Sequence, residues 1–201
     1  MATSTPFVDF TNYFLIAMPG MEDEFFAGSV VYICQHSPNS AMGLVVNKPA
    51  NVEMANMFRK LDLPLAPRAA ELAGQPVLNG GPVQPERGFV LHVPMLAAGM
   101  LEGETAYVAT LRVPGGLEMT SSRDVLEAIA AGGGPSRFLI VLGNSTWGAG
   151  QLETEIARGS WLSAPADSQV IFDTPVEQRY GRALGLLGLQ SVTLAPQVGH
   201  A

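Results

Sequence analysis

One cysteine, Cys34, stands among 201 residues, so no disulfide framework can form within the chain. Charge is scarce as well. Asp, Glu, Lys and Arg make up 14% of the residues, and the 11 Lys and Arg are scattered without a cluster. With a net charge of −7 and a pI of about 4.9, the chain lacks the basic patch that neutralises phosphates. Direct binding to nucleic acid is therefore disfavoured. The first basic residue is Lys48, so neither the basic n-region of a secretory signal nor the arginines of a transit peptide are present. Apolar runs are short and interrupted by Pro or Gly, and none spans a bilayer. These absences point to a cytoplasmic protein. His36, His92 and His200 have no metal-motif spacing, and H-E-x-x-H and C-x-x-C are missing, so no metal and no cofactor are expected. Ser145 and Ser160 lack the G-x-S-x-G context of a hydrolase nucleophile.

What the chain has is apolar and turn-forming material. Hydrophobic residues make up 47%, ample for a core, and the 22 glycines and 15 prolines exceed the usual share, which implies many turns and short strands. Tyr13–Met18, Ser29–His36 and Ala41–Asn47 read as strands. The last two form a hairpin across Ser37-Pro-Asn-Ser40. Met54, Met57, Phe58 and Leu61 fall at helical spacing, with Asn51 as the expected cap. Short strands are predicted at Pro76–Leu78 and Arg87–His92, and Thr105–Val113 reads as an edge strand. Ser121 and Asp124 open a helix that Gly132–Gly134 ends. Phe138–Leu142 reads as a strand, Leu152–Ile156 as a helix, and Trp161–Leu162 and Gln169–Phe172 as strands. A last helix is expected from Thr174-Pro175, with Glu177 completing a capping box and Gly188 ending it. Strands and helices mix without strict alternation, so the fold class is α+β, in a single domain over 1–201 with a loose tail from 189 onward.

Seven segments in order resemble the YqgE/AlgH family of bacterial proteins. They are Phe14–Pro19, Ser29–Cys34, Met42–Pro49, Gly80–Val83, Arg87–His92, Trp147–Glu153 and Gly199–Ala201. The resemblance covers nearly the whole chain. It implies a compact α+β domain with a small β-barrel or bifurcated mixed sheet flanked by helices. It also implies a cytosolic protein of undefined biochemistry, some of whose relatives are described as transcriptional regulators. The chain departs from the family pattern at Asn144-Ser145-Thr146, and at Tyr180, where a tryptophan is common.

Two glycine-rich turns are the candidate binding surface. The first is Gly143–Gly150, between a strand and a helix start, with Trp147, Gly148, Gly150, Gln151 and Glu153 able to meet a ligand at unpaired N–H groups. The bland reading is close packing of helix on sheet, with Trp147 as a core anchor. It matches neither a P-loop nor a dinucleotide fingerprint, and Glu153 and Glu155 would repel phosphate. The second turn is Gly80-Gly81, where Arg87 can clamp a carboxylate or phosphate, or else pair internally with Glu86 or Glu153. If the two turns face one another, Gly80, Gly81, Arg87 and Trp147–Glu153 share a pocket. Cys34 and His36 fall on one face of an ideal strand, which permits a reactive thiol beside an imidazole, although a strand Cys is usually a small buried hydrophobe. Glu22-Asp23-Glu24 reads as a solvated loop, with a divalent-cation contact the alternative. Phe25-Phe26, Met54 and Met57 can form a partner groove or, by default, core.

The leading expectation is a regulatory or binding protein, monomer or homodimer, acting through a protein partner or a small ligand. The alternatives are an enzyme of unassigned class using Cys34 with His36, or Glu153, and a regulator that binds DNA directly.

Overall fold

The computed structural model describes residues 7–95, 100–101 and 103–189. In chain order the elements are β1 (Tyr13–Ala17), β2 (Val30–Ser37), β3 (Ser40–Val45), β4 (Pro49–Glu53), α1 (Met54–Lys60), β5 (Pro76–Asn79), β6 (Val83–His92), β7 (Thr110–Val113) and β8 (Leu117–Thr120). They continue with α2 (Arg123–Ala130), β9 (Phe138–Gly148), α3 (Gln151–Ala157), β10 (Trp161–Pro165), α4 (Ser168–Phe172) and α5 (Arg179–Gly185). Two 3-10 turns, Pro67–Leu72 and Val176–Gln178, complete the set. The fold is α+β: one mixed sheet in the order β10-β1-β2-β3-β9-β6-β8-β7, with β4 and β5 branching from it and short helices around it.

The branch lies within β9. Its first half runs between β5, which is parallel, and β6, which is antiparallel: Leu78 and Phe89 both register with Val141. Its second half leaves both and pairs with β3, from Gly43↔Ser145 to Ser40↔Gly148. Gly143 sits at the fork with φ +72°, in the left-handed region that glycine enters without steric cost. Gly80 and Gly81 cross the fork in backbone contact. Gly80 N donates to Leu142 O at 2.7 Å, and a Cβ on Gly81 would lie 2.0 Å from the carbonyl carbon of Asn144. The Gly80-Gly81 pair thus exists for close approach to β9.

Both faces of the sheet are covered, which explains why its central strands are continuously apolar. On β1, Phe14 and Ile16 face a core completed by α4 and α5, while Leu15 and Ala17 face a second core with Trp147, Leu152 and Trp161. A third core packs α1 and α2 against Val77, Val90 and Ile140.

The expected β2–β3 hairpin is present, and β7 is an edge strand at one end of the sheet, although of the expected Thr105–Val113 only Thr110–Val113 is strand. Several local expectations are corrected. Phe138–Leu142 is only the first half of an 11-residue strand that runs on through the glycine to Gly148. Gln169–Phe172 belongs to a helix, α4, because Asp167 caps it by accepting from Gln169 N at 2.8 Å; a short apolar run does not by itself distinguish helix from strand. Thr174 does not cap the last helix. Its hydroxyl donates to Gln169 O at 3.1 Å, and a 3-10 turn separates Pro175 from α5. Asn51 lies in β4, a strand that the sequence does not announce, and Glu53 precedes α1. Ser122 rather than Ser121 precedes α2. The tail expected to be loose lies, from residue 190, outside the described residues.

Candidate ligand cleft

After Trp147 the chain reverses through Gly148-Ala149-Gly150, with Gly150 at φ +69°, and enters α3. Gln151 tightens the turn by accepting from Gly148 N at 3.0 Å, so this N–H is already taken. One helical turn on, Glu155 lies beneath both tryptophans of the chain. Its Oε2 accepts from Trp147 Nε1 and from Trp161 Nε1, each at 2.9 Å, and its Oε1 accepts from Gln151 Nε2 at 2.9 Å. The two indoles meet edge to face at 6.2 Å, and Phe26 stacks on Trp147 and edges against Trp161.

Phe26 arrives on the 18–28 loop, which is tied down from several sides. Asp23 accepts from Phe25 N and Phe26 N at 2.9 Å. Asn47 accepts from Val30 N at 2.7 Å and donates to Gly28 O at 2.9 Å, while Lys48 Nζ donates to Phe25 O. The Asn47-Lys48 pair is therefore the anchor of this loop. Between the loop, the tryptophans, α3 and the Pro82-Val83 segment lies a cleft of about 680 Å³. Glu22, Asp23 and Glu155 line it, against one cation, Arg158.

The structure thus brings Trp147 and Gln151 to one cleft with the segment that follows Gly80-Gly81. Gly80 and Gly81 pack behind that wall, and Gly148 and Gly150 shape the turn. Arg87 is elsewhere. It lines an adjoining hollow, donates to Gln84 Oε1 and Ser121 Oγ at 3.2 Å each, and lies over the Phe89 ring; neither Glu86 nor Glu153 accepts from it. Glu153 points away from the cleft to His36, and Glu155, two residues on, takes the central position. Its signal in the sequence is the i, i+4 spacing from Gln151, but the second indole comes from β10 and leaves no local mark.

This architecture has known relatives. The model of the AlgH-like family, DUF179, matches residues 14–192. UPF0301 proteins of Polaromonas sp. and Delftia acidovorans are 56% and 52% identical over 201 residues, the whole of both chains in each comparison. The chain belongs to the AlgH-like family. The solution structure of the AlgH protein from Pseudomonas aeruginosa is 42% identical with a TM-score of 0.74, covering 100% of both chains. A crystal structure of a Corynebacterium diphtheriae protein, 23% identical with a TM-score of 0.64 over 92% of this chain and 88% of that one, shares the fold.

The AlgH-like fold separates the expected thiol–imidazole pair. β2 has a bulge: Ile33 registers with Gly43 and Gln35 with Met42, leaving Cys34 as the extra residue. An extra residue reverses the alternation beyond it. Cys34 therefore packs with Phe14 and Tyr32 in the α4–α5 core, while His36 lies on the opposite face beside α3. Burial pushes the Cys34 thiol up, away from the thiolate. His36 Nδ1 accepts from Phe10 N at 3.0 Å, so the proton is on Nε2, which donates to Glu153 Oε1 at 3.1 Å. With its side chain 1% exposed and flanked by Phe7 and Phe10, this imidazole is closed off from solvent. Among the described residues no group of three or more His, Cys, Asp and Glu converges as metal ligands, and no helix is long and apolar enough to cross a membrane.

Proposed function

We propose that this AlgH-like protein is a regulatory binding protein that acts through a protein partner or small ligand held in the Trp147–Glu155 cleft, rather than through catalysis or direct contact with DNA. The observation that carries this reading is the cleft itself. Its volume, about 680 Å³, is that of a ligand site, and its polar floor is pre-organised by three N–H donors to one carboxylate. A carboxylate held in this way orients a bound group. The enzyme alternative draws on a buried thiol, a sealed imidazole and Glu153, whose Oε1 is taken by that imidazole. A net charge of −7 opposes close approach to a phosphate backbone, so a regulatory role would be exerted through another protein or a metabolite.

A ligand that binds only the native state raises the melting temperature. A thermal-shift screen should therefore find binders that also change tryptophan fluorescence, because both tryptophans wall the cleft. Gln151→Phe, at an exposed lining position, should abolish the shift while moving the melting temperature of the free protein by less than about 4 °C. Binders whose shift survives Gln151→Phe and leaves the fluorescence unchanged would refute the cleft as the site.

A further inference from the structure

On the reading that this cleft is a binding site, we infer that its occupant is a basic segment of a protein partner, seated by an arginine or lysine side chain. The charge of the walls selects the sign. Glu22 and Asp23 on the loop and Glu155 on the floor face one cation, Arg158, so an anionic ligand would meet three carboxylates. Lys48, behind the loop and outside the cleft lining, donates to Phe25 O, lies over the Phe25 ring and offsets part of the Asp23 charge, which still leaves the carboxylates in excess. The acceptor count agrees. A carboxylate offers about four lone-pair positions, and Glu155 uses three of them on the two indoles and Gln151, which leaves one on Oε1 for an added donor. Beside it the half-buried Phe26 adds an aromatic wall to the cleft.

The surroundings favour a chain segment over a free amine. Trp161, in the cleft wall, is the first residue of β10, and β10 is an edge of the sheet, paired with β1 alone among the described strands. An edge strand offers unpaired backbone groups to an extended chain, so a segment lying along β10 can combine ladder hydrogen bonds with one basic side chain in the cleft. A free amine has only the second contact.

The test uses the full-length ¹⁵N-labelled protein and follows the indole N–H resonances of Trp147 and Trp161. The probes are an acetylated, amidated pentapeptide with two arginines, its counterparts with two glutamines or two glutamates, and arginine amide alone. The arginine peptide should move both resonances. Its affinity should fall about tenfold between about 50 and 300 mM salt. It should also fall about tenfold in the double variant Glu22→Gln/Asp23→Asn, whose second substitution keeps a side-chain oxygen as acceptor for Phe25 N and Phe26 N. Arginine amide should bind at least about tenfold more weakly than the peptide. If the glutamate or glutamine peptide moves both resonances as strongly, the cleft stands as a site and the basic occupant is overturned. Arginine amide binding as tightly as the peptide overturns the chain segment. If no probe moves them while a compound from the thermal-shift screen does, the inference falls and the cleft survives. If nothing moves them, both fall.

Discussion

Removing the carboxylate of Glu155 leaves two buried indole N–H groups without an acceptor. Trp147 and Trp161 are 4% and 3% exposed, and both donate to the same oxygen at 2.9 Å. A buried donor stripped of its partner costs about 1–3 kcal/mol. Glu155 is itself only half-buried, so water entering from the cleft recovers part of this, and Glu155→Ala should destabilise the fold by about 2–4 kcal/mol. At roughly 2–4 °C per kcal/mol for a chain of this size, the melting temperature falls by about 5–15 °C. Glu155→Gln separates acceptor from charge. Its amide oxygen can still take both indoles, and its NH₂ then meets the Gln151 NH₂, a mismatch that should cost no more than about 1 kcal/mol. Urea unfolding followed in parallel by tryptophan fluorescence and far-ultraviolet dichroism gives the three stabilities. The reasoning is refuted if Glu155→Ala lies within about 0.5 kcal/mol of the parent, or if the glutamine variant loses as much as the alanine one.

Other expectations concern the fork, the core thiol and a buried histidine. Gly81→Ala places a Cβ about 2.0 Å from the Asn144 backbone and should cost more than about 4 kcal/mol or prevent folding, whereas Gly150→Ala, at φ +69° in open space, should cost about 1–2 kcal/mol; equal losses in chemical denaturation would contradict the close-packing role of Gly81. Cys34 should resist iodoacetamide in the folded protein and react fully in urea, as mass spectrometry will show, because burial holds its thiol protonated; rapid labelling of the native state would contradict its place in the core. Burial also lowers the pKa of His92, which is 0% exposed between Val93 O and Thr120 Oγ1. The unfolded chain then binds the proton first, so this contribution to stability is complete above about pH 6.5 and is lost as pH falls from there through the lower folded value. In His92→Gln the slope of stability between about pH 5 and 7 should flatten; an unchanged slope would remove His92 as its source.

How far the sequence could be read depended on the range over which each feature is decided. The β2–β3 hairpin was legible because β-branched runs flank Ser37-Pro-Asn-Ser40, a turn whose chemistry is local. Trp147 and Gln151 come to one cleft because a strand, a reversal and a helix follow one another within a few residues. Whether Glu153 or Glu155 joins them is not a local property. Both lie on α3, and which of them reaches the indoles depends on how α3 is rotated over the sheet and on the return of β10 beside β1. Arg87 failed as a shared ligand group because β6 carries it past the wall formed by Val83, into the adjoining hollow. The Cys34–His36 pairing failed on one inserted residue: strict alternation puts them on one face, and a bulge, unmarked by glycine or proline within β2 itself, parts them.

By itself the sequence carried the resemblance to the family, the α+β mixture and most strand cores. The resemblance rests on seven segments in order along nearly the whole chain, while the mixture and the strand cores follow from apolar periodicity, turn residues and composition within short windows. Only the tertiary structure decided that β9 forks at Gly143, that Gly80-Gly81 serves the fork, and that Phe26, Trp147, Trp161 and Glu155 meet around one cleft. Those residues are up to 135 positions apart, from Phe26 to Trp161, and periodicity specifies the faces of an element relative to its own axis. The direction in which that axis turns is set by the burial of both sheet faces at once, a property of the assembled core.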